Sequence, residues 1–321
     1  MIPQTAIGSR ATTVEELNGI MSKFENHAAA KRGLAFKPKR SDVIISPYAK
    51  SGTTWTQHIV HGLRTRGSMD FDEITAVTPW IEIAYDVGWD LEAAQVAEPR
   101  VYKSHLSWHD VPKGARYIVP VRHYHDAFLS YYRFFEGWFI EPDSITLEAF
   151  LQWYWPPDKM DKRGYWHHLS SWWEQRHNPN VLLLSYEDMK ADLPGTVEKI
   201  AHFIGIPLDD ELLDIVVRQS SREFMLAHRH QFSARHVAQS GGPRAGLPPA
   251  LDTYKITAGA PRDARFQLPP TLKATLDDMW REQITSKYGF ESYAELQQRL
   301  KESHEYTEYR TERPFLPQPL L

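Results

Sequence analysis

The chain has 321 residues, with 37 Lys plus Arg against 41 Asp plus Glu, a formal charge of −4. So slight an acidic balance argues against an extended nucleic-acid partner, which a basic excess would announce, while 42% apolar and 24% charged residues describe a globular chain rather than a disordered one. The absence of cysteine excludes disulfides, thiolate metal sites, iron–sulfur clusters and a cysteine nucleophile.

In chain order, residues 12–30 predict a helix: Thr13 and Glu16 can form a capping box, and Val14, Leu17, Met21 and Phe24 fall at helical spacing. Residues 42–47 (DVIISP) form a β-branched apolar run, the pattern of a buried strand. A helix from Thr54 to Arg66 follows, closed by Gly67. Residues 68–98 are mixed and carry Trp80 and Trp89. A second strand is predicted over 100–103 and a third over 115–121, where Pro120 argues for an edge or a strand end. Helices are predicted over 124–136 and 162–177, a fourth strand over 180–184, and further helices over 193–205, 209–219 and 271–284. The Gly-, Pro- and Arg-rich stretch 231–268 reads as a long loop, and the tail ERPFLPQPLL as extended chain.

Strands alternating with helices predict an α/β fold, a central parallel sheet with helices on both faces. The length is ordinary for one such domain over 1–321: an N-terminal helical arm (1–41), a core (42–230), the long loop (231–268), and C-terminal helices with a tail (269–321). No apolar run approaches the roughly 20 residues of a membrane span. The first residues lack the basic start and apolar stretch of a secretory signal, so a cytoplasmic location is expected.

In this fold class ligands sit beyond the carboxyl ends of the strands, and four clusters stand there. The turn Tyr48-Ala49-Lys50-Ser51-Gly52-Thr53-Thr54-Trp55 opens into a helix, so backbone N–H groups, hydroxyls and one ammonium group converge as an anion site requires. Its Lys precedes the Gly, unlike the phosphate loop of nucleoside triphosphatases. Lys103-Ser104-His105 sets a Lys and a His two apart, on one side of an extended segment. Histidine is a general base near neutral pH, and lysine can neutralise leaving-group charge. Arg122 follows the third strand, with Ser130 eight residues on, and can hold a phosphate in a bidentate fork. Ser185-Tyr186-Glu187-Asp188 follows the fourth strand; helix capping by Ser185 explains it better than a Walker-B acid does. The 15 histidines include the pairs His58/His61, His123/His125 and His228/His230. Without Cys or an H-E-x-x-H motif, no metal is called for.

Taken together, YAKSGTTW at 48–55, KSH at 103–105, Arg122…Ser130-Tyr131-Tyr132 and Tyr186-Glu187-Asp188-Met189-Lys190 resemble the sulfotransferases that use 3′-phosphoadenosine 5′-phosphosulfate (PAPS). The match covers about 42–230, and the C-terminal part looks most like bacterial glycolipid or aryl sulfotransferases. The resemblance implies a P-loop-like three-layer α/β/α fold. In it Lys50, Ser51, Gly52, Thr53 and Thr54 hold the 5′-phosphosulfate and Trp55 packs on the adenine. Arg122 and Ser130 bind the 3′-phosphate, and Tyr186 and Ser220 contact the adenine. His105 is the base, and Lys103, with Lys50, stabilises transferred or leaving charge. No metal is implied, and 3′,5′-ADP is the product.

The sequence departs from the family pattern at Ala49, which replaces a loop proline, and at Arg222, which stands where a Phe is common, with Phe224 as a candidate replacement. The late element that clamps the 3′-phosphate lacks its Trp; Lys255, Arg244, Arg262 or Arg265 would have to complete it, and cofactor affinity is expected to be weaker for it. A dissociation constant for 3′,5′-ADP far below micromolar would contradict that expectation. Trp80, Trp89, Trp108, Phe134, Phe135 and Trp138 predict an aromatic-lined pocket for a small, mostly apolar acceptor: a phenol, alcohol, steroid-like or glycolipid hydroxyl. A homodimer is compatible with this reading. The alternatives are an inactive nucleotide-binding protein on the same fold and, less well supported, a small-molecule kinase.

Overall fold

Four short parallel strands carry the fold, in the spatial order β2-β1-β3-β4. In the computed structural model the described residues are 8–155, 164–249, 251–256 and 267–311, with 303–311 described by backbone alone. The chain runs α1 (Val14–Phe24), α2 (His27–Leu34), β1 (Val43–Ile45), α3 (Thr53–Thr65), α4 (Ile74–Val77), β2 (Val101–Lys103), β3 (Arg116–Val121), α5 (Tyr124–Trp138), α6 (Leu147–Tyr154) and α7 (Tyr165–Trp173). It continues with β4 (Val181–Ser185), α8 (Tyr186–Ala191), α9 (Leu193–Ile204), α10 (Asp210–Gln219), α11 (Arg222–Ala227), α12 (Arg235–Ala245), α13 (Pro270–Trp280), a π turn at Arg281–Thr285, α14 (Ser286–Tyr288) and α15 (Tyr293–Thr311).

Alternation along each strand sends side chains to two separate cores. Ile44, Tyr102, Tyr117, Val119 and Leu183 pack with α5, α6, α7 and α13. Val43, Ile45, Val101, Ile118, Leu182 and Leu184 pack with α3, α9 and α10. Both faces are therefore covered, the three-layer arrangement that strands apolar on both sides demand. At the amino ends of β1 and β2, the Arg100 guanidinium donates to both oxygens of Asp42, at 3.0 and 2.7 Å. Both side chains are buried.

Three expectations change. The helix predicted over 12–30 is two helices, because the Asn26 side chain accepts from the Ala29 N–H at 3.1 Å and caps a second start. At the first start, Thr13 accepts from the Glu16 N–H, but Glu16 reaches back to Thr12 rather than to Thr13. Second, of the two places Pro120 allows, it takes the strand end and not the edge: β3 is central, and Pro120 is its next-to-last residue. Amides of even-numbered residues face β1 (Arg116 N–H to Asp42 O), and those of odd-numbered residues face β4 (Tyr117 N–H to Asn180 O). Pro120 would meet β1 one step after its last paired residue, Ile45, so the missing donor costs β4 nothing. Third, the stretch 231–268 contains a helix, α12. Its Gly241 is what lets α1 approach: a Cβ there would lie 2.6 Å from the Phe24 ring. The composition that reads as loop is thus a small-residue packing face, closed by Gly246 at φ +70°. The C-terminal tail, Arg262 and Arg265 lie outside the described residues.

Candidate active site

The turn after β1 is shaped by two left-handed residues, Lys50 at φ +67° and Gly52 at φ +104°. Gly52 is the residue before α3 and offers no side-chain cap, so the first amides of that helix are open to an anion. A Cβ at Gly52 would lie 3.0 Å from the Tyr186 ring, which closes one side of the turn. Arg122, just past β3, donates to the Lys50 carbonyl at 2.9 Å and lays its guanidinium over the Tyr186 ring at 4.7 Å. The Arg122 Nε and the Ser51 hydroxyl are buried without hydrogen-bond partners. Unsatisfied donors beside an open helix start are what a phosphorylated ligand would complete.

These groups line one end of a cavity of about 750 Å³. At its centre β2 delivers Lys103 and His105. Segment 79–81 is stitched along β2, with Lys103 N–H donating to Pro79 O at 2.8 Å and Ile81 N–H to Lys103 O at 2.9 Å. That stitching puts the Trp80 ring under the Lys103 ammonium, 3.5 Å away, and edge-on to the His105 ring, 5.1 Å between centroids. His105 Nδ1 meets the Pro47 carbonyl at 2.8 Å and is therefore the protonated nitrogen, leaving Nε2 as the acceptor. Burial, reinforced by the Lys103 charge, holds His105 well below the usual histidine range, so the ring is neutral at neutral pH.

Lys50, Lys103 and Lys255 face the same cavity. Burial, with Lys255 and Arg122 adding repulsion, pushes Lys50 down to about 8. Burial and Lys255 push Lys103 well below its ordinary value, against the opposing carboxylates of Glu82 and Glu73. Burial also lowers Lys255, which Glu73 opposes. The segment carrying Lys255 is fixed by Ala234 N–H to Thr253 O and Lys255 N–H to Phe232 O. This is an excess of positive charge in an enclosed space, arranged for an anionic ligand.

Lys50, Gly52, Thr53, Thr54, Trp55, Arg122, Ser130, Tyr186, Lys255, Lys103, His105, Trp80, Phe134 and Trp138 all border this one cavity. Ser51 lies buried beneath the turn. Ser220 stands behind Trp55, whose indole N–H donates to the Ser220 carbonyl at 2.8 Å. Two predicted acceptor-site residues are elsewhere. Trp89 packs edge-on against His236, and Trp108 against Tyr117 and Trp172, so both serve packing rather than the cavity wall. Phe224 stacks on His228 and does not border the cavity. Arg244 is excluded as a phosphate ligand because Asp86 takes both its terminal nitrogens, at 3.0 and 2.8 Å. Ser185 caps α8 by accepting from Asp188 N–H, as its sequence suggests.

Sequence reasoning missed several residues that border the cavity. Glu82 is one, two residues on from Trp80 in WIEI. His168 is another, with Nε2 on the Ser46 carbonyl at 3.1 Å and its pKa pushed by burial to about 3. Met21 and Phe24 of the N-terminal arm, with Tyr131 and Tyr154, complete the apolar end of the cavity. Among the described residues no group of three or more His, Asp or Glu side chains is placed to hold a metal ion, and no helix is long and apolar enough to cross a membrane.

Comparison with known proteins agrees with this geometry. Residues 40–301 match the family described as the sulfotransferase domain. The chain is 35% identical over 199 residues to a 3-alpha-hydroxysteroid sulfotransferase of Cavia porcellus, covering 59% of this chain and 68% of that protein. It is 31% identical over 228 residues to sulfotransferase 1C2 of Rattus norvegicus, covering 68% and 76%. Both relatives are mammalian, so the likeness to bacterial members has no counterpart in them. Among solved structures, mouse sulfotransferase SULT7A1 complexed with PAP aligns with a TM-score of 0.60 at 20% identity, over 88% of this chain and 95% of that one. Retinol dehydratase in complex with androsterone and inactive cofactor PAP aligns at 0.60 and 18% identity, over 83% and 85%. At those identities the structures attest the fold alone, but the family match spans most of the chain, and the chain belongs to the PAPS-dependent sulfotransferase family.

Proposed function

We propose that this chain moves a sulfuryl group from PAPS to a hydroxyl of a small, mostly apolar acceptor, with His105 as the general base. The observation that carries the proposal is the meeting of His105 and Lys103 with the Lys50 turn and Arg122 around one cavity whose other end is aromatic. The unpartnered Arg122 Nε and Ser51 hydroxyl, the open start of α3 and the Cβ-excluding turn at Gly52 fit a nucleotide of this charge. Lys50 and the amides of Thr53 and Thr54 would hold its 5′ end, and Arg122 and Ser130 its 3′-phosphate. Trp55 and Tyr186, edge-on at 5.7 Å, would bracket the base. PAPS, when bound, supplies the group that is transferred.

The protein's own contribution is placement and charge. His105 Nε2 takes the proton from the acceptor hydroxyl. Its Nδ1–H on the Pro47 carbonyl fixes the tautomer that makes this possible. Lys103 and Lys50 present ammonium groups where negative charge develops. Trp80, Phe134 and Trp138 pack on the acceptor and exclude water. The cavity also has Lys50 Nζ 4.9 Å from the Phe134 ring, so the charged and apolar halves adjoin.

A panel of phenols and alcohols with PAPS, run on wild type and His105→Ala, tests this. Wild type should transfer sulfate to at least one acceptor. The variant should lose about 10²–10⁴-fold in kcat while binding 3′,5′-ADP as wild type does. A variant at full activity would remove His105 as the base. A wild type that binds 3′,5′-ADP yet transfers to nothing would favour an inactive nucleotide-binding protein.

A further inference from the structure

Glu82 enters none of the assignments above, yet it bonds the His105 backbone and its charge acts on Lys103. β2 is an edge strand, and its regular pairing stops after Ser104 N–H donates to the Ile45 carbonyl at 2.9 Å. Lys103 and His105 point their N–H groups to the outer side, toward segment 79–82. The Lys103 N–H finds the Pro79 carbonyl, but at His105 the outer chain has already turned away. The Glu82 carboxylate takes the place of the missing backbone acceptor: its Oε1 accepts from His105 N–H at 2.8 Å. Its Oε2 is buried and makes no hydrogen bond of ordinary geometry.

Resting on the sulfotransferase reading, we propose that Glu82 is a positioning residue for transfer, its carboxylate fixing the backbone of His105 and standing as counter-charge to Lys103. The hydrogen bond at the His105 backbone and the bond from its ring to Pro47 hold the residue at two points, so Nε2 has one direction left. The charges facing Lys103 are Lys255 and Lys50, which disfavour its ammonium form, and Glu82 and Glu73, which favour it. Glu73 is already committed to Thr75, Ser233 and the His236 N–H. Burial raises the Glu82 carboxyl, and the hydrogen bonds from the His105 N–H and Trp80, with the Lys103 charge, oppose that and favour the carboxylate. The groups facing His105 are the Lys103 and Lys255 ammonium groups and the His168 ring, which burial keeps neutral.

Two variants separate positioning from mere support of the fold. Glu82→Leu removes acceptor and charge; kcat should fall about 10²-fold, the scale of a small misplacement of a reacting group, while the Kd for 3′,5′-ADP stays within about threefold of wild type. Glu82→Gln keeps an oxygen for the His105 N–H, so most of kcat should return at the pH optimum. Its alkaline limb should move to lower pH, because Lys103 then deprotonates earlier without that opposing charge. Three results would overturn the proposal: wild-type kcat in Glu82→Leu, loss of 3′,5′-ADP binding in step with kcat, or a Glu82→Gln pH profile that superimposes on wild type. The last holds even if Glu82→Leu does not fold. If wild type itself fails to bind 3′,5′-ADP, the underlying sulfotransferase reading falls, and that outcome is distinct from all three.

Discussion

At Lys50 the protein places an ammonium group in an enclosed turn beside Arg122 and Lys255, and so makes its charge conditional on pH. With its pKa lowered to about 8, Lys50 is protonated below that value and loses its proton above it. An anion bound there restores the charged form, so binding above pH 8 must take up a proton. The affinity for 3′,5′-ADP should therefore be level near pH 7 and weaken by up to about tenfold per pH unit above 8. Calorimetry in buffers of differing ionisation enthalpy would show the proton directly; an affinity flat to pH 9.5 would rule out this account. The residues legible from sequence are those whose position is set locally. Lys50, His105, Arg122 and Tyr186 each follow a strand end within a few positions, and an apolar run followed by a turn can be read without a fold. Trp89 and Trp108 pack away from the cavity, which no local pattern shows. An indole is equally at home in a wall or a core, and only tertiary packing decides. Glu82 sits in a segment with no strand signal of its own, so its meeting with the His105 amide depends on β2 being at the edge.

The arm formed by α1 and α2 is held against the apolar end of the cavity by contacts away from Lys50, Lys103 and His105. Asp86 gathers Asn26 at 2.6 Å, Ser240 at 2.8 Å and 3.0 Å through its carbonyl and carboxylate, and the Arg244 fork. Arg244 also donates to the Lys23 carbonyl at 2.8 Å. Beneath this clasp, Gly241 lets the Phe24 ring rest on α12. Gly241→Ala gains helix propensity of up to about 1 kcal/mol, but its methyl has no room beside Phe24, an overpacking of about 1–3 kcal/mol. The variant should unfold at lower urea concentration than wild type. It should raise the KM for an acceptor while leaving 3′,5′-ADP binding unchanged, because Phe24 borders the cavity at its apolar end. Equal KM values would show that the arm does not shape acceptor binding. This helix was hidden in the sequence because glycine and proline ordinarily signal turns. Here the same smallness serves close packing between helices.

Over the whole molecule, two apolar layers are pinned to one sheet, and the sheet's non-functional end is locked by charge. Arg100 and Asp42 are buried and satisfied mutually in a two-point pair. Removing one partner strands the other charge, so Arg100→Ala should lose about 3–5 kcal/mol of stability. Denaturant unfolding would measure it, and a loss under 1 kcal/mol would show that water or another group replaces the guanidinium. Such rigidity at the amino ends leaves adjustment to the carboxyl ends, where the ligands belong.

The opposite end of the sheet owes its openness to Pro120. A regular parallel ladder would have the residue at position 120 donate to the Ser46 carbonyl; proline cannot, and His168 Nε2 occupies that carbonyl instead. β1 and β3 are thereby unzipped one step before the Lys50 turn, while β3 and β4 stay joined through Val121 and Ser185. The mouth of the cleft is thus encoded in the main chain's inventory of hydrogens. One absent hydrogen ends the pairing of two neighbouring strands, and an imidazole that borders the cavity takes the carbonyl left over.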